Sequence, residues 1–347
     1  MSLVLVAGGA GFLGSAVARR LLGTGEGVVL LDAFDDAGDG RALKENRIAV
    51  FSRHPRAAVV RGDAADPAFF ESVLAEHRPS SIVNATLLPP DGAGLGPLLE
   101  SARGAGIGVF VHLSVGRLYG PRGEAERRAR EDEATEPGDD PGLVAKAAEE
   151  EALLASGLPF VNLRVFSAVG PGGGPARFPL DALEALFGGE EVVLPDDAPR
   201  DFVHTEDVVR GILFAIARRP LGETVNLGFG LAVRPSEIVR ALALRAAREA
   251  RISVSGESPR PPRIADLEKA WKTLGYSRSS GSARSRGRSC AHACTPKRPG
   301  APRAPPRRPH GRERNLRGRS RGASSSGSFA SRSTPPRKSR DADGRVR

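Results

Sequence analysis

Leu3-Val4-Leu5-Val6-Ala7-Gly8-Gly9-Ala10-Gly11-Phe12-Leu13-Gly14 is the stretch that decides the fold. Leu3–Ala7 is an unbroken apolar run, the pattern of a strand covered on both faces. A glycine-rich turn follows, then Phe12–Leu22, where Leu13, Val17 and Leu21 fall on one helical face. A strand, a glycine turn and a helix in that order have a mechanical reading. One glycine makes the tight turn, one lets the backbone close on a pyrophosphate, and one packs helix against strand. The phosphates then face unpaired N–H groups at the helix N-terminus. Spacing alone carries little, because glycine loops without ligands are common. Asp32 strengthens it, closing the second apolar run 18 residues after Gly14. A carboxylate there accepts hydrogen bonds from both adenosine ribose hydroxyls and repels a 2′-phosphate, which favours NAD over NADP. The plain alternative is a strand-end Asp in a turn.

Outward from this unit, Val28–Leu31, Ala57–Val60, Ser81–Ala85 and Gly108–Leu113 read as further buried strands. Helices are expected at Pro67–Glu76, Gly96–Ala105 and Leu143–Ala155. Strand–helix alternation of this kind specifies an α/β, Rossmann-like, doubly wound parallel sheet. From Gly170 the texture changes: Gly170-Pro-Gly-Gly-Gly-Pro175 must be a loop. After it come a helix near Leu180–Phe187, strands at Glu191–Leu194 and Asp201–His204, and a helix with Val209, Ile212, Leu213 and Ile216 on one face. A strand at Thr224–Leu227 and a helix at Pro235–Leu244 complete the pattern. The expected division is an NAD-binding domain over 1–169, with a later contribution from about 205–230. A smaller C-terminal substrate lobe, interleaved with it, takes 170–276.

At 347 residues there is ample length for a core. The net charge of +10 averages two unlike parts. Residues 277–347 hold 20 Lys/Arg against 3 Asp/Glu, whereas 1–276 hold 31 against 38. The body is mildly acidic and gives no support to nucleic-acid binding, which only the basic tail suggests. Both cysteines, Cys290 and Cys294, lie in the tail, so packing alone holds the body, as in cytosolic proteins. The apolar start is too short for a signal peptide or a membrane span and lacks a basic leader, so a cytoplasmic protein off the membrane is expected.

Beyond Tyr276 the only large apolar side chains are Leu316, Phe329 and Val346, and disorder is expected. Three readings of this tail stand: a basic arm binding nucleic acid through phosphate counterion release, a solvated tail, or a product of an altered reading frame in GC-rich coding DNA. Cys290, His292 and Cys294 in an Arg-rich stretch are a chance cluster, and no metal is expected.

Several motifs in fixed order resemble the NAD-dependent epimerase/dehydratase family of extended short-chain dehydrogenases. They are Gly-Gly-Ala-Gly-Phe-Leu-Gly (8–14), Arg-Gly-Asp (61–63), Leu-Tyr-Gly (118–120) and Leu-Arg-Val-Phe-Ser-Ala-Val-Gly-Pro-Gly (163–172). Arg-Asp-Phe-Val-His-Thr-Glu-Asp-Val (200–208) and Val-Asn-Leu-Gly (225–228) complete the set. Leu-Lys-Glu-Asn-Arg-Ile-Ala (43–49) is similar to UDP-glucuronate 4-epimerases. The resemblance covers about residues 3–276 and implies NAD as cofactor, a UDP- or dTDP-sugar as substrate and a homodimer. It assigns to the dinucleotide Gly8, Gly11, Gly14, Phe12 and Leu13. It adds Asp32, then Asp63 and Ala64 towards the adenine, and Ala85 and Ser114. Asp63 has a second reading, as the cap of helix Pro67–Glu76. Lys146 would bond the nicotinamide ribose and Phe166 would pack near the nicotinamide. Ser167 and Arg200 fall to the substrate, the arginine on its diphosphate. The plain alternatives are a solvated helix Lys, a core Phe and a surface Arg.

Catalysis in this family uses a tyrosine four residues before the lysine, whose phenol takes the sugar hydroxyl proton. That position is Gly142. The Ser/Thr that bonds the same oxygen falls at Val115. Ser114 is one step earlier, and one step along a strand points to the opposite face. The family's His after the fourth strand is Asn84, and its Asn after Phe166 is Ser167. The segment between Thr86 and Gly96 is short, which trims the helix that helps form the dimer. Tyr119 is the candidate substitute, although its position matches a structural one. Two functions follow: a sugar-nucleotide epimerase or dehydratase with a nonstandard proton-transfer group, or a catalytically silent NAD-binding paralogue acting as a sensor.

Overall fold

In a computed structural model of the chain the described residues are 2–36, 38–86, 94–120, 128–173, 178–256 and 263–277. All of them fall in the first of two units, Met1–Pro296. The tail, with Cys290, His292 and Cys294, lies outside the described residues except for Ser277.

The chain runs β1 (Leu3–Ala7), α1 (Phe12–Gly23), β2 (Gly27–Asp32), α2 (Arg41–Ile48), β3 (Ala57–Arg61) and α3 (Pro67–His77). It continues through β4 (Ser81–Asn84), α4 (Gly96–Gly104), β5 (Val109–Val115), β6 (Arg128–Ala129) and α5 (Pro141–Ala155). Next come β7 (Phe160–Val165), β8 (Ser167–Val169), α6 (Leu180–Gly188), β9 (Val192–Leu194) and β10 (Arg200–His204). The last elements are α7 (Thr205–Arg218), β11 (Glu223–Leu227), β12 (Ala232–Val233), α8 (Pro235–Ala246), β13 (Ile252–Val254) and β14 (Ile264–Ala265).

Seven strands form one sheet in the order β11-β7-β5-β4-β1-β2-β3, every neighbouring pair parallel. The winding reverses between β1 and β4, and the carboxyl ends of strands at such a switch point open a crevice. β1 shows why its run had to be apolar throughout. Val4 and Val6 pack with Val17 and Leu21 of α1 and Ile212 of α7 on one face. Leu5 and Ala7 pack with Phe70 and Val73 of α3 and Leu98 of α4 on the other. Fully burying one Val or Leu is worth about 1.5–3 kcal/mol, so a polar residue anywhere in β1 would cost part of one core.

The lobe has a core of its own, in which Leu183 and Leu186 of α6 meet Ile238 and Leu242 of α8 over Leu194 and Phe202. β8, β10 and β12 form a three-stranded sheet, while β9 pairs with β13 and β6 with β14. Asp201, 1% exposed, ties the loop after β11 to β14 by accepting from the N–H groups of Phe229, Gly230 and Ala265. Among the described residues no helix is long and apolar enough to cross a membrane.

Candidate functional site

A cavity of about 640 Å³ opens at the switch point, lined from Gly8, Asp32 and Asp63 at one end to Lys146 and Phe166 at the other. That is within the range of sites that enclose a sizeable ligand. Of the residues assigned by sequence to a dinucleotide, Gly14 alone is off its wall.

The three glycines do different work. Gly8 has φ +74°, and a methyl group on it would lie 2.5 Å from the Ala85 carbonyl oxygen, so the turn can touch the end of β4 only with glycine there. At Gly14 a methyl would stand 2.1 Å from the Gly8 oxygen, so this glycine lets α1 press on the turn from behind. Gly11 faces the cavity, and a methyl there meets only the Gly8 oxygen, at 3.1 Å. No side chain caps α1, which suits an anion at its N-terminus.

Asp32, at the end of β2, braces this turn from inside. Its Oδ2 accepts the Ala10 N–H at 3.0 Å and its Oδ1 the Phe34 N–H at 2.9 Å, with Lys44 Nζ 3.5 Å from Oδ1. An ionised carboxylate offers about four acceptor sites, so both oxygens retain capacity towards the cavity they line. Asp63 and Ala64 line the same end. The helix-cap reading of Asp63 is corrected: Asp66 caps α3, accepting the Phe69 N–H at 3.2 Å, while Asp63 Oδ1 accepts the Ala65 N–H in its own loop.

At the other end Lys146 of α5 is only 8% exposed, which removes the solvated-lysine reading. Its Nζ donates to Glu149 Oε2 at 2.7 Å and to the Thr86 carbonyl at 3.4 Å. Behind it the His112 imidazole is fully buried, with Asn84 Nδ2 3.2 Å from Nδ1 and Glu149 Oε2 3.4 Å from Nε2. Burial, then the Lys146 ammonium, holds this imidazole well below its ordinary pKa, so it is neutral.

One expectation changes, that of Tyr119 as the substitute base. Ser114 and Val115 both line the cavity, although strand alternation sets them on opposite faces. β5 ends at Val115, where the cavity wraps around the strand's tip. The Ser114 hydroxyl is buried with no hydrogen-bond partner among the described residues. Tyr119 is off the wall and fully buried, its hydroxyl donating to Asn226 Oδ1 at 2.7 Å. Burial pushes its pKa up to about 12 despite the Arg164 guanidinium over the ring, so geometry and acidity both argue against it as a base. Ser167 and Arg200 also lie off the wall, Arg200 paired with Asp196 at 2.5 Å. At Gly142, which is exposed, a methyl would meet only the Asp140 carboxylate among the described residues, at 3.3 Å.

Sequence reading missed four residues here: Lys44, Arg47, His112 and Glu149. The signals existed. Arg41, Lys44 and Arg47 recur at helical spacing beside an Asp-rich turn, and Arg47 joins Asp39 at 2.8 Å, the Ala10 carbonyl and the Gly172 carbonyl. A histidine interrupts the apolar run of β5, and a glutamate stands one turn after Lys146. Among the described residues no group of three or more His, Cys, Asp or Glu is arranged to hold a metal.

The model of the NAD dependent epimerase/dehydratase family matches residues 4–228. A dTDP-glucose 4,6-dehydratase of Streptomyces griseus is 30% identical over 258 residues, 68% of this chain and 76% of that one. A UDP-glucose 4-epimerase of Erwinia amylovora is 26% identical over 307 residues, 77% of this chain and 88% of that one. A UDP-glucuronic acid 4-epimerase from Bacillus cereus, solved with UDP-glucuronic acid and NAD, shares the fold. It aligns with 80% of this chain and 94% of its own at 22% identity and a TM-score of 0.73.

Proposed function

The chain belongs to the NAD dependent epimerase/dehydratase family, and we propose that it binds NAD along the cavity and acts on a UDP- or dTDP-sugar without the family's tyrosine. The observation that carries this reading is one continuous cavity joining the glycine turn and Asp32 to Lys146 and Phe166. Bound NAD supplies a hydride acceptor for the sugar carbon and a donor for its return. The chain's residues do the rest. The glycine turn receives the diphosphate against backbone N–H groups, Asp32 accepts the adenosine ribose hydroxyls, and Lys146 donates to the nicotinamide ribose. Ala85, Val115 and Phe166 exclude water from the reacting end. Arg200 takes the sugar nucleotide's diphosphate by exchanging out of its pair with Asp196, with Ser167 beside it.

A second reading, a silent NAD-binding paralogue, draws on glycine standing at position 142 and on the Tyr119 hydroxyl being committed to Asn226. Incubating the chain with NAD and UDP-glucose, UDP-glucuronic acid or dTDP-glucose separates the two. Converted sugar or reduced cofactor supports the enzyme. NAD binding with no conversion of any of the three supports the silent protein.

A further inference from the structure

The groups behind the cavity's reacting end form a ring whose two ends both reach the cavity wall. Thr86 lines the cavity, and its Oγ1 donates to Asn84 Oδ1 at 2.8 Å while its backbone N–H donates to the same oxygen at 3.3 Å. A backbone N–H can only donate, so it fixes the Asn84 amide with oxygen towards Thr86 and nitrogen towards His112. Asn84 Nδ2 then donates to His112 Nδ1, which must be the bare nitrogen. The neutral ring therefore carries its proton on Nε2, and Nε2 faces Glu149 Oε2 at 3.4 Å without hydrogen-bond geometry to any described group. Glu149, 3% exposed, holds Lys146, which completes the ring at the Thr86 carbonyl and lines the cavity.

We propose that the Lys146–Glu149 pair, held by His112 and Asn84, is the proton-transfer group of this site in place of the missing tyrosine. Two of the three ammonium protons go to Glu149 and the Thr86 carbonyl, and the third is left for the cavity. An ammonium alone cannot accept a proton; one that hands a proton to a buried carboxylate 2.7 Å away can. The O–H bond of the sugar hydroxyl breaks and an N–H bond forms on Lys146. Beforehand a Lys146 N–H bond breaks and an O–H bond forms on Glu149, and rotation about Cε–Nζ turns the freed lone pair from the carboxylate to the cavity, where it receives the sugar proton. The C–H electron pair leaves as hydride to NAD, so the sugar carbon is oxidised by two electrons, and reversal restores every bond. Lys146 is the residue that touches substrate. Glu149 and His112 act through it as positioning residues, the His112 N–H facing the carboxylate while its neutral ring cannot protonate it.

This inference rests on the enzymatic reading above, and one set of measurements separates the two. With NAD and the same three sugar nucleotides as probes, Glu149→Gln is expected to lower kcat about 10²-fold or more, the scale of a lost acid–base group. KM and the Kd for NAD should stay within about threefold, since a fall in kcat alone would not follow from a general loss of structure. Glu149→Asp should recover at least part of kcat. Conversion by the native chain that Glu149→Gln leaves undiminished overturns the relay and spares the enzymatic reading. Loss of NAD affinity together with kcat makes Glu149 a structural pair only and also overturns it. No conversion by the native chain rejects the enzymatic reading itself, and the relay with it. Independently of turnover, the ¹⁵N signals of His112, identified by their loss in His112→Asn, should show the neutral Nε2–H form from about pH 5.5 to 8. A protonated ring or an Nδ1–H form in that range overturns the geometry on which the relay depends.

Discussion

Gly11 and Gly14 look interchangeable in sequence, yet alanine at each should fail for a different reason. At Gly14 the added methyl would lie 2.1 Å from the Gly8 oxygen, 2.9 Å from its carbonyl carbon and 3.0 Å from the Gly9 Cα, all of them backbone. Ordinary C···O contacts are about 3.3–3.6 Å, so turn and helix must part by roughly 1.2 Å. α1 is seated by Val17, Ala18, Leu21 and Leu22 on a buried core, and overpacking of that kind costs about 1–3 kcal/mol. For a domain this size 1 kcal/mol is about 2–4 °C in Tm, which gives a fall of roughly 2–12 °C for Gly14→Ala without any ligand. At Gly11, with ordinary extended φ and ψ, the methyl meets one oxygen at 3.1 Å, and the free chain should melt within about 2–4 °C of native. What Gly11→Ala should lose is the rise with cofactor, about 2.7 kcal/mol at 100 times Kd in the native chain. The assay is a thermal melt of each variant with and without NAD. A Gly14→Ala chain that melts like native, or a Gly11→Ala chain that keeps its full NAD-dependent rise, refutes this division of labour.

Other outcomes follow from the same geometry. Lys146→Ala leaves Glu149 buried without its cation and should cost about 3–5 kcal/mol; a melt of Lys146→Ala plus Glu149→Gln should recover much of that, and no recovery would contradict the pairing. Tyr119→Phe strands the buried Asn226 acceptor and should cost about 1–3 kcal/mol while leaving turnover of the sugar nucleotides unchanged. A tenfold loss of kcat there would return Tyr119 to the mechanism. The Tyr119 hydroxyl has a raised pKa, about 12, when folded against about 10 when unfolded. Burial raises Tyr276 as well. The folded chain thus binds more protons than the unfolded one above pH 10, and stability is lost as pH rises through that window. Absorbance near 295 nm should show neither tyrosine ionising at pH 10–11 while the chain is folded, and early ionisation of either would deny its burial. Gly142→Tyr with Val115→Ser, introduced into Glu149→Gln where the relay is gone, should raise turnover about 10²–10⁴-fold if the pocket has kept its shape, and no rise would mean that it has not.

The sheet's first five strands were legible because each is an apolar run bounded by turns, although β3, at the sheet's edge, is half-buried and not covered on both faces as its run suggested. β7 escaped notice because Asn162 and Arg164 interrupt its run. Inside the fold they are paired, Arg164 with Glu150 at 2.6 Å and Asn162 with Thr224 at 3.3 Å, and pairing is invisible along the chain. α2 escaped for a related reason, since its buried residues include Lys44 and Arg47 instead of an apolar stripe. At the site, the glycine turn was legible from backbone mechanics and Asp32 from its place at the end of the second strand, whereas Lys146 was legible only through the family resemblance. His112 and Glu149 were not, since they lie 37 residues apart in sequence and only the packing of α5 on β5 joins them.

The most direct test is equilibrium binding of NADH to the full chain and to Asp32→Ala, followed by nicotinamide fluorescence. Hydrogen bonds to a charged group are worth about 1.5–3 kcal/mol, so removing this carboxylate should weaken binding at least about tenfold. A native chain with no measurable affinity, or an Asp32→Ala chain that binds as tightly as native, would contradict the placement of the dinucleotide on which the site's chemistry depends.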